Sequence, residues 1–456
     1  MRWHLTLLIP LLWLAACSVG PEYRRPEVTL PEQFSEAGGE WRAVRPGTFE
    51  VPERWWRVFA DPELDRLEAR VVIDNQNLKA AEAQYRAARA AVDIAAAARL
   101  PTVTGAADAS RSHSDRVTTN IYNVSASANW EIDLWGRVRR SIESAQARAD
   151  ASADDLAAAR LSTQALLAQT WFQWLATEQQ RQLLQRTLAV NARFLDLTRD
   201  RHDAGVASGL DVAQAETQLG SVRTQFSEVE LQQAQLAHAL TTLLGGNPVQ
   251  AGAVASLPPV PRPPGLLPST LLEQRPDIAS AERLAAAANA QIGLAQTAFY
   301  PVLDLGATAG YRSGALGQLF SAPSLLWTLG PSLAMTLFDG GARSAAVAQA
   351  RAGYDQAVAS YRQTVLTAFQ EVQDNLAAAR LLQREADDQT RTLAAARRAR
   401  AIAEEQYRAG TVSALNVIIA QSAELATERN AVDIHNRQLA ASVQLLKNAG
   451  GRIPPR

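Results

Sequence analysis

The sequence predicts a mainly α chain with a small membrane β part, built twice on one plan and completed only by copies of itself. Three observations predict this. Residues 122–134 alternate strictly between apolar and polar side chains. From Arg137 to Ala204 the chain contains no glycine and no proline. The same order of strand, glycine turn and long helix returns in the second half.

The alternation comes first. Tyr122, Val124, Ala126, Ala128, Trp130, Ile132 and Leu134 point one way, and Asn123, Ser125, Ser127, Asn129, Glu131 and Asp133 the other. A period of two residues is a strand with one apolar and one polar face. The chain turns at Gly136, and the uninterrupted stretch after it reads as one helix, about 100 Å long at 1.5 Å per residue. A strand suited to lipid on one side and water on the other, joined to such a helix, points to a pore that extends far from a membrane.

Ahead of this strand, Asp61-Pro62 is a helix start, an acid cap followed by proline in the first turn. The helical pattern runs through Asn77 and Leu78 to Arg99, and Pro101 ends it. Thr102–Ser110 alternates as a strand, with a loop expected at 111–120. After Gly205 a helix is expected from about Leu210 to Leu244, closed by Gly245-Gly246-Asn247-Pro248. The turn at 203–210 makes an αα-hairpin tip.

Pro258, Pro259, Pro261, Pro263, Pro264 and Pro268 then form a semi-rigid spacer. Beyond it the plan repeats. Ala81-Glu82 and Pro101 match Ala281-Glu282 and Pro301; Gly136 and Arg139 match Gly340 and Arg343; Ala204-Gly205, Ser208, Leu210 and Val212 match Ala409-Gly410, Ser413, Leu415 and Val417. Residues 302–311 and 325–337 supply two more strands. A helix from Ala342 to Ala409, with only Gly353 inside, repeats Val358, Val365, Val372, Ala379, Ala386 and Leu393 every seventh residue, a coiled-coil seam. A last helix runs from about Ser413 to Asn448.

At the N-terminus, Arg2 and His4 precede an apolar run from Leu5 to Ala16, too short to cross a bilayer and typical of a secretory signal. It ends Leu14-Ala15-Ala16-Cys17, like a bacterial lipobox, and Cys17 is the only cysteine in the chain. Residues 18–60 carry five prolines with Trp41, Trp55 and Trp56, an extended segment held by its aromatics. The expected organisation is therefore a signal peptide (1–16), an extended lipid-anchored segment (17–60), a first repeat (61–255), a Pro-rich linker (256–270) and a second repeat with tail (271–456).

Composition narrows the function. The formal net charge is −1, so nothing favours nucleic acid. His4, His113, His202, His238 and His435 make no metal-ligand spacing. Gly340-Gly341 lacks the lysine of a phosphate loop, and Trp171 with Trp174 reads as packing. No cofactor is expected, and no nucleophile–base constellation points to an enzyme. Four amphipathic strands cannot close a membrane barrel, and open edges in lipid leave backbone groups unpaired. Two copies would give eight strands with little lumen; three would give twelve around water. Tyr122, Trp130, Trp135, Tyr300, Tyr311 and Trp327 lie near strand ends and suit either a lipid–water boundary or core packing.

Seven stretches carry a family likeness: CSVGPEYRRP (17–26), WWRVFADPELDRL (55–67), NWEIDLWGRVRRS (129–141), LLEQRPDIASAE (271–282), FYPVLDLGATAGY (299–311), LFDGGARSAA (337–346) and YRAGTVSALNV (407–417). They resemble the outer-membrane efflux proteins of the TolC/NodT type, in their lipoprotein branch. The resemblance implies a homotrimer whose 12-stranded β-barrel, four strands per chain, sits in the outer membrane and continues as a long periplasmic α-helical barrel. It implies docking to a periplasmic membrane-fusion adaptor and an inner-membrane pump, with export of drugs or small toxic solutes. A duct for type I protein secretion shares that architecture, and a non-porous periplasmic coiled-coil scaffold is the reading of another class.

The family's tunnel narrows at its periplasmic end, matched here by Gly410 to Gln421. Acidic side chains commonly line it at the positions of Asn416 and Ile419, and this chain has neither acid there. Leu415, Asn416 and Ile419 are gate candidates by motif position, with helix packing as the alternative. Asp211, at the matching place in the first hairpin, could supply the missing charge. Gly205, Val206 and Ser208, with Gly410, Thr411 and Ser413, are the expected adaptor contacts. Cys17 is the expected lipidation site.

Overall fold

The computed structural model describes residues 19–28, 54–248, 256–261 and 275–449. The signal peptide, Cys17, Trp41 and residues 262–270 of the linker lie outside the described residues.

Three helices of the first repeat have counterparts of equal length in the second. In the first, a 3-10 turn at Trp55–Phe59 leads to helix α1 (Pro62–Asp74), α2 (Gln76–Ala97), strands β1 (Thr102–Ser114) and β2 (Val117–Ile132), then α3 (Arg137–Asp203) and α4 (Gly209–Leu243). The second runs α5 (Pro276–Thr297), β3 (Val302–Ser313), β4 (Leu325–Ala334), α6 (Ala342–Arg408) and α7 (Ala414–Asn448). α2 and α5 both have 22 residues, α3 and α6 both 67, and α4 and α7 both 35.

Two local departures from the sequence reading have plain causes. The helix expected to run through Asn77 is interrupted at Asn75, which is extended (ψ 123°). Its side chain accepts from Leu78 N at 3.1 Å and donates to the Leu243 carbonyl at 2.9 Å, so it restarts the helix as a cap and ties it to α4. The loop expected at 111–120 is a two-residue hairpin. Pairing continues to Ser114↔Val117, and Asp115 and Arg116 both take positive φ, 51° and 66°. That backbone matches the twist of the flanking strands. β4 stops at Ala334, short of the expected Leu337.

The chain divides into two compact units. One comprises 19–28, Glu82–Asp155 and Asp277–Thr364 and contains the sheet. Its four strands lie in the order β1-β2-β3-β4, all antiparallel, so the β2–β3 pairing joins the two repeats. The segment 19–28 is strapped onto α5. Tyr23 donates to Glu282 Oε1 at 2.9 Å, and Asn289 donates to the Pro21 carbonyl at 3.0 Å. Gly20 takes φ +108°, and a Cβ there would meet Gly293 Cα at 2.4 Å, so the strap can lie this close only with glycine on both sides.

The other unit comprises 54–81, Leu156–Pro276 and Val365 onward, within the described residues. Its main core gathers Trp55, Phe59, Leu64, Leu67, Phe172 and Leu175 with Leu439 and Val443. Phe59 packs on Phe172 with ring centroids 4.9 Å apart. Asp61 acts twice. Oδ1 accepts from Glu63 N and Leu64 N at the start of α1, and Oδ2 accepts from the Trp171 indole at 2.7 Å. Trp171 stacks on Trp174 at 5.3 Å, the packing role expected of the pair. On α6 the heptad positions Val358, Val365, Val372, Ala379, Ala386 and Leu393 are all buried or half-buried. The interleaved Tyr361, Ala368 and Leu382 are buried too, completing the a/d seam.

Candidate functional site: an amphipathic sheet and two helix tips

The strand register turns four separate alternations into one surface. Val103 opposes Ala128, which opposes Ala307, which opposes Leu329; Gly105, Ala126, Ala309 and Trp327 form the next row. The rows between read Thr104, Ser127, Thr308 and Thr328. One face is thus apolar on every strand and the other polar. Trp327, Leu329, Leu333 and Val103 are 67–72% exposed in the single chain, a greasy face with nothing on it. The polar face is bonded within itself: Ser127 Oγ lies 3.0 Å from Thr308 Oγ1, and Asn123 donates to Asp108 at 2.9 Å. β1 and β4 each have one unpaired edge. A sheet with an oily face and two open edges is complete only when further strands close it.

The aromatics divide. Trp327 is exposed, and Trp130 partly so while donating to the Arg99 carbonyl at 3.0 Å. Trp135 is packed instead, stacked on Tyr300 at 4.8 Å and donating to the Pro301 carbonyl at 2.8 Å.

Where α3 and α6 begin, carboxylates face the helix N-termini. Asp133 accepts from Val138 N and Arg139 N, both at 3.0 Å, and Asp339 accepts from Gly341 N and Arg343 N. The aligned peptide dipoles favour negative charge there. Arg343 beside Asp339, with those backbone donors, holds its carboxyl below the usual range. Glu131 pairs with Arg137 across the first turn.

The helix tips carry the other candidates. Gly205 (φ +73°) and Gly410 (φ +78°) each end a 67-residue helix. Val206 N bonds to the Arg201 carbonyl at 2.8 Å and Gly205 N to the His202 carbonyl at 2.8 Å; Thr411 N and Gly410 N repeat the pattern on Gln406 and Tyr407, both at 3.0 Å. This is a Schellman closure on both sides, and it needs the left-handed residue that glycine provides. Val206 is 66% exposed, and Ser208, Thr411 and Ser413 lie on the same reversals.

The two tips then differ. Ser208 caps α4 in a reciprocal box: Asp211 N donates to Ser208 Oγ at 3.2 Å, and Ser208 N donates to Asp211 Oδ2 at 3.0 Å. The Asp211 carboxylate is therefore occupied by the cap. Ser413 starts α7 without a side-chain cap, and its hydroxyl lies 3.1 Å from Asn416 Oδ1. Leu415, Asn416 and Ile419 are exposed in the single chain, Ile419 at 60%. Leu415 and Ile419, four apart, share one face of α7.

The sequence reading missed the contact between the tips. Arg201 donates to the Tyr407 carbonyl at 3.0 Å, and its guanidinium lies 4.6 Å from the centre of the Tyr407 ring. Phe194 covers the same ring at 5.4 Å. A network follows along α6 and α7, where Arg400 pairs with Glu404 and Glu424, and Gln421 donates to Glu404 at 3.2 Å. Arg201 and Tyr407 each lie within one turn of a tip glycine, which is the only local signal for them.

Among the described residues no helix is long and apolar enough to cross a membrane, and no group of three or more potential metal ligands occurs.

Comparison with known proteins agrees with this geometry. An efflux pump outer membrane protein of Pseudomonas putida KT2440, TtgC, is 32% identical over 98% of this chain and 95% of its own. The pyoverdine export outer membrane protein OpmQ of Pseudomonas aeruginosa PAO1 is also 32% identical, over 98% of this chain and 96% of its own. Among solved structures, CusC superposes with a TM-score of 0.85 at 28% identity, covering 95% of this chain and 99% of that one. The open state of the MtrE channel of Neisseria gonorrhoeae gives 0.83 at 27%, covering 95% and 98%. These channels are trimers of a β-barrel and an α-helical barrel, and this chain has the same fold class. Residues 70–246 and 267–451 match the family described as outer membrane efflux protein, and with both repeats covered the chain belongs to that family.

Proposed function

We propose that three copies of this chain form the outer-membrane exit duct of a tripartite efflux system for drugs or other small toxic solutes. The observation that carries this reading is the sheet. On all four strands one face is mainly apolar and the other mainly polar, and both outer edges are left unpaired. A scaffold without a pore has no use for such a face. Relatives named for toluene efflux and pyoverdine export support small-molecule cargo over protein secretion. A homotrimer of this kind would meet a periplasmic membrane-fusion adaptor, itself joined to an inner-membrane pump. Gly205, Val206, Ser208, Gly410, Thr411 and Ser413 are the adaptor-facing tips in this reading.

Leu415, Asn416 and Ile419 form the narrow end of the duct, and Asp211 serves as a capping group rather than a free charge. The exposure of Leu415 and Ile419 in the single chain supports it. Cys17 carries the lipid anchor, two residues before the strap that lies against α5.

Reconstitution into planar bilayers tests the duct: folded trimers give discrete conductance steps, and silent trimers would sink the reading. For the gate, Ile419→Asp adds three acids at one level and raises cation selectivity; unchanged selectivity removes Ile419 from the lumen. For the anchor, Cys17→Ala abolishes incorporation of labelled palmitate, whereas continued labelling places the lipid elsewhere.

A further inference from the structure

The buried stripe of α1 contains an acid. Leu64, Leu67 and Val71 fill the core, and Glu68 lies on the same stripe with no exposure at all. Neither of its carboxyl oxygens has a hydrogen-bond partner. The indole N–H of Trp55, 2% exposed, is also without one. Both groups line one cavity of about 630 Å³, whose walls include Trp56, Val72 and Leu161. A buried polar group left unpaired is costly, and more so when charged, so two of them beside one empty space mark an unmet demand.

With Glu68, three further charged residues line this space. Asp65 lies one turn back on α1, its carboxylate engaged by the Trp56 indole at 3.0 Å and by Arg57 at 2.9 Å. Arg54 precedes the 3-10 turn, and Arg160 comes from α3. Both arginines are exposed, so solvent screens them, whereas nothing screens Glu68. Burial, with Asp65 adding to it, pushes the Glu68 carboxyl up to about 9. At neutral pH the group stands protonated.

We propose that this cavity is a binding site for a small organic cation with an apolar body, its charge on Glu68 and its body against Trp55, Trp56, Val72 and Leu161. The cation answers the buried acid that has no partner, and indole faces favour cations as well as apolar surface. The site is separate from the helix tips and independent of the duct reading. Entry of the cation makes the ionised carboxyl favourable, so Glu68 gives up its proton to solvent: cation plus neutral acid go to an ion pair plus one proton.

The test is calorimetry on the detergent-solubilised trimer with benzyltrimethylammonium, in two buffers of different ionisation enthalpy. Binding at pH 7 releases close to one proton. Affinity rises about tenfold per pH unit and levels off once Glu68 is ionised in the free protein. The neutral carbon isostere, neopentylbenzene, binds at least tenfold more weakly. Glu68→Gln loses at least tenfold in affinity together with the pH dependence. Saturable binding without proton release, equal binding of the neutral isostere, or no saturable binding would each overturn the proposal. Should Glu68→Gln fail to assemble, proton release by the unaltered trimer still decides.

Discussion

The two helix tips of this chain share a backbone and differ in chemistry. Gly205 and Gly410 close their helices with the same pair of hydrogen bonds and nearly the same φ. Beyond the glycine, the first tip has Ser208 and Asp211 locked in a reciprocal box, and the second has Ser413 and Asn416 in a single side-chain contact. The backbone plan depends on a left-handed residue at one position, which only glycine meets cheaply. The cap depends on side chains that can be exchanged without moving the chain. A duplicated plan can therefore keep its geometry while one copy changes charge.

The largest break in this comparison is expected at Tyr407, where the tips meet. Tyr407→Ala removes a side chain only 6% exposed, the face under Arg201 and the contact with Phe194. Truncating a buried aromatic costs about 3–5 kcal/mol. Hydrogen exchange at 201–212 and 407–418 is expected to accelerate together, with a larger single-channel conductance. Acceleration confined to 407–418 would show that Arg201 does not couple the tips.

A smaller and one-sided effect follows from the caps. Ser208→Ala is expected to cost about 1 kcal/mol of local stability, the usual value for a lost N-cap. Ser413→Ala is expected to cost less, because Ser413 makes no side-chain cap bond. The difference is read from amide exchange in the first turns of α4 and α7; equal losses would mean that the box adds nothing.

Asn416→Asp sharpens the comparison by making the second tip like the first. It is expected to complete a box with Ser413 and slow exchange in α7 by a few tenths of a kcal/mol. It also adds one charge per copy at the narrow end, raising cation selectivity in the same bilayer measurement. A selectivity change without slower exchange would separate the charge from the cap.

A separate effect concerns acid, away from the tips. Glu178 accepts from Arg181 and Gln182 on α3 and from Gln233 on α4. Arg181 chiefly, with the two amides, holds its carboxyl down at about 2, against an ordinary 4.5. A depressed carboxyl contributes fully above its ordinary value and loses that contribution as pH falls toward 2. Glu178→Gln is therefore expected to flatten the acid side of the stability profile between pH 4.5 and 2, while changing little below 2. A profile as steep as the parent's would assign acid sensitivity to other carboxylates.

The repeat, the strands and the long helices were legible because each rests on a local pattern. A two-residue alternation needs no distant partner to be seen, nor does a stretch from Arg137 free of glycine and proline. Asn75 was not legible as a break, since its cap lies inside a continuous helical pattern and its other partner is the Leu243 carbonyl. The hairpin at Asp115-Arg116 was hidden because neither residue is the glycine that such a turn usually advertises. At the tips, the glycines could be read and Leu415, Asn416 and Ile419 could be placed by motif position, but the Arg201–Tyr407 contact joins residues 206 apart. Glu68 sits in a pattern that reads as an ordinary amphipathic helix, and only the cavity beside it shows that its demand is unmet.

The pairing of β2 with β3 has a further consequence. It sews the halves together inside one polypeptide, so the wall of twelve strands is assembled from three pieces instead of six. Each association of separate bodies gives up translational and rotational freedom worth roughly 4–15 kcal/mol. Fusing the halves removes three such encounters and guarantees that unlike tips alternate around the ring. Two hairpins that began as equals can thereafter specialise, because neither can ever take the other's seat.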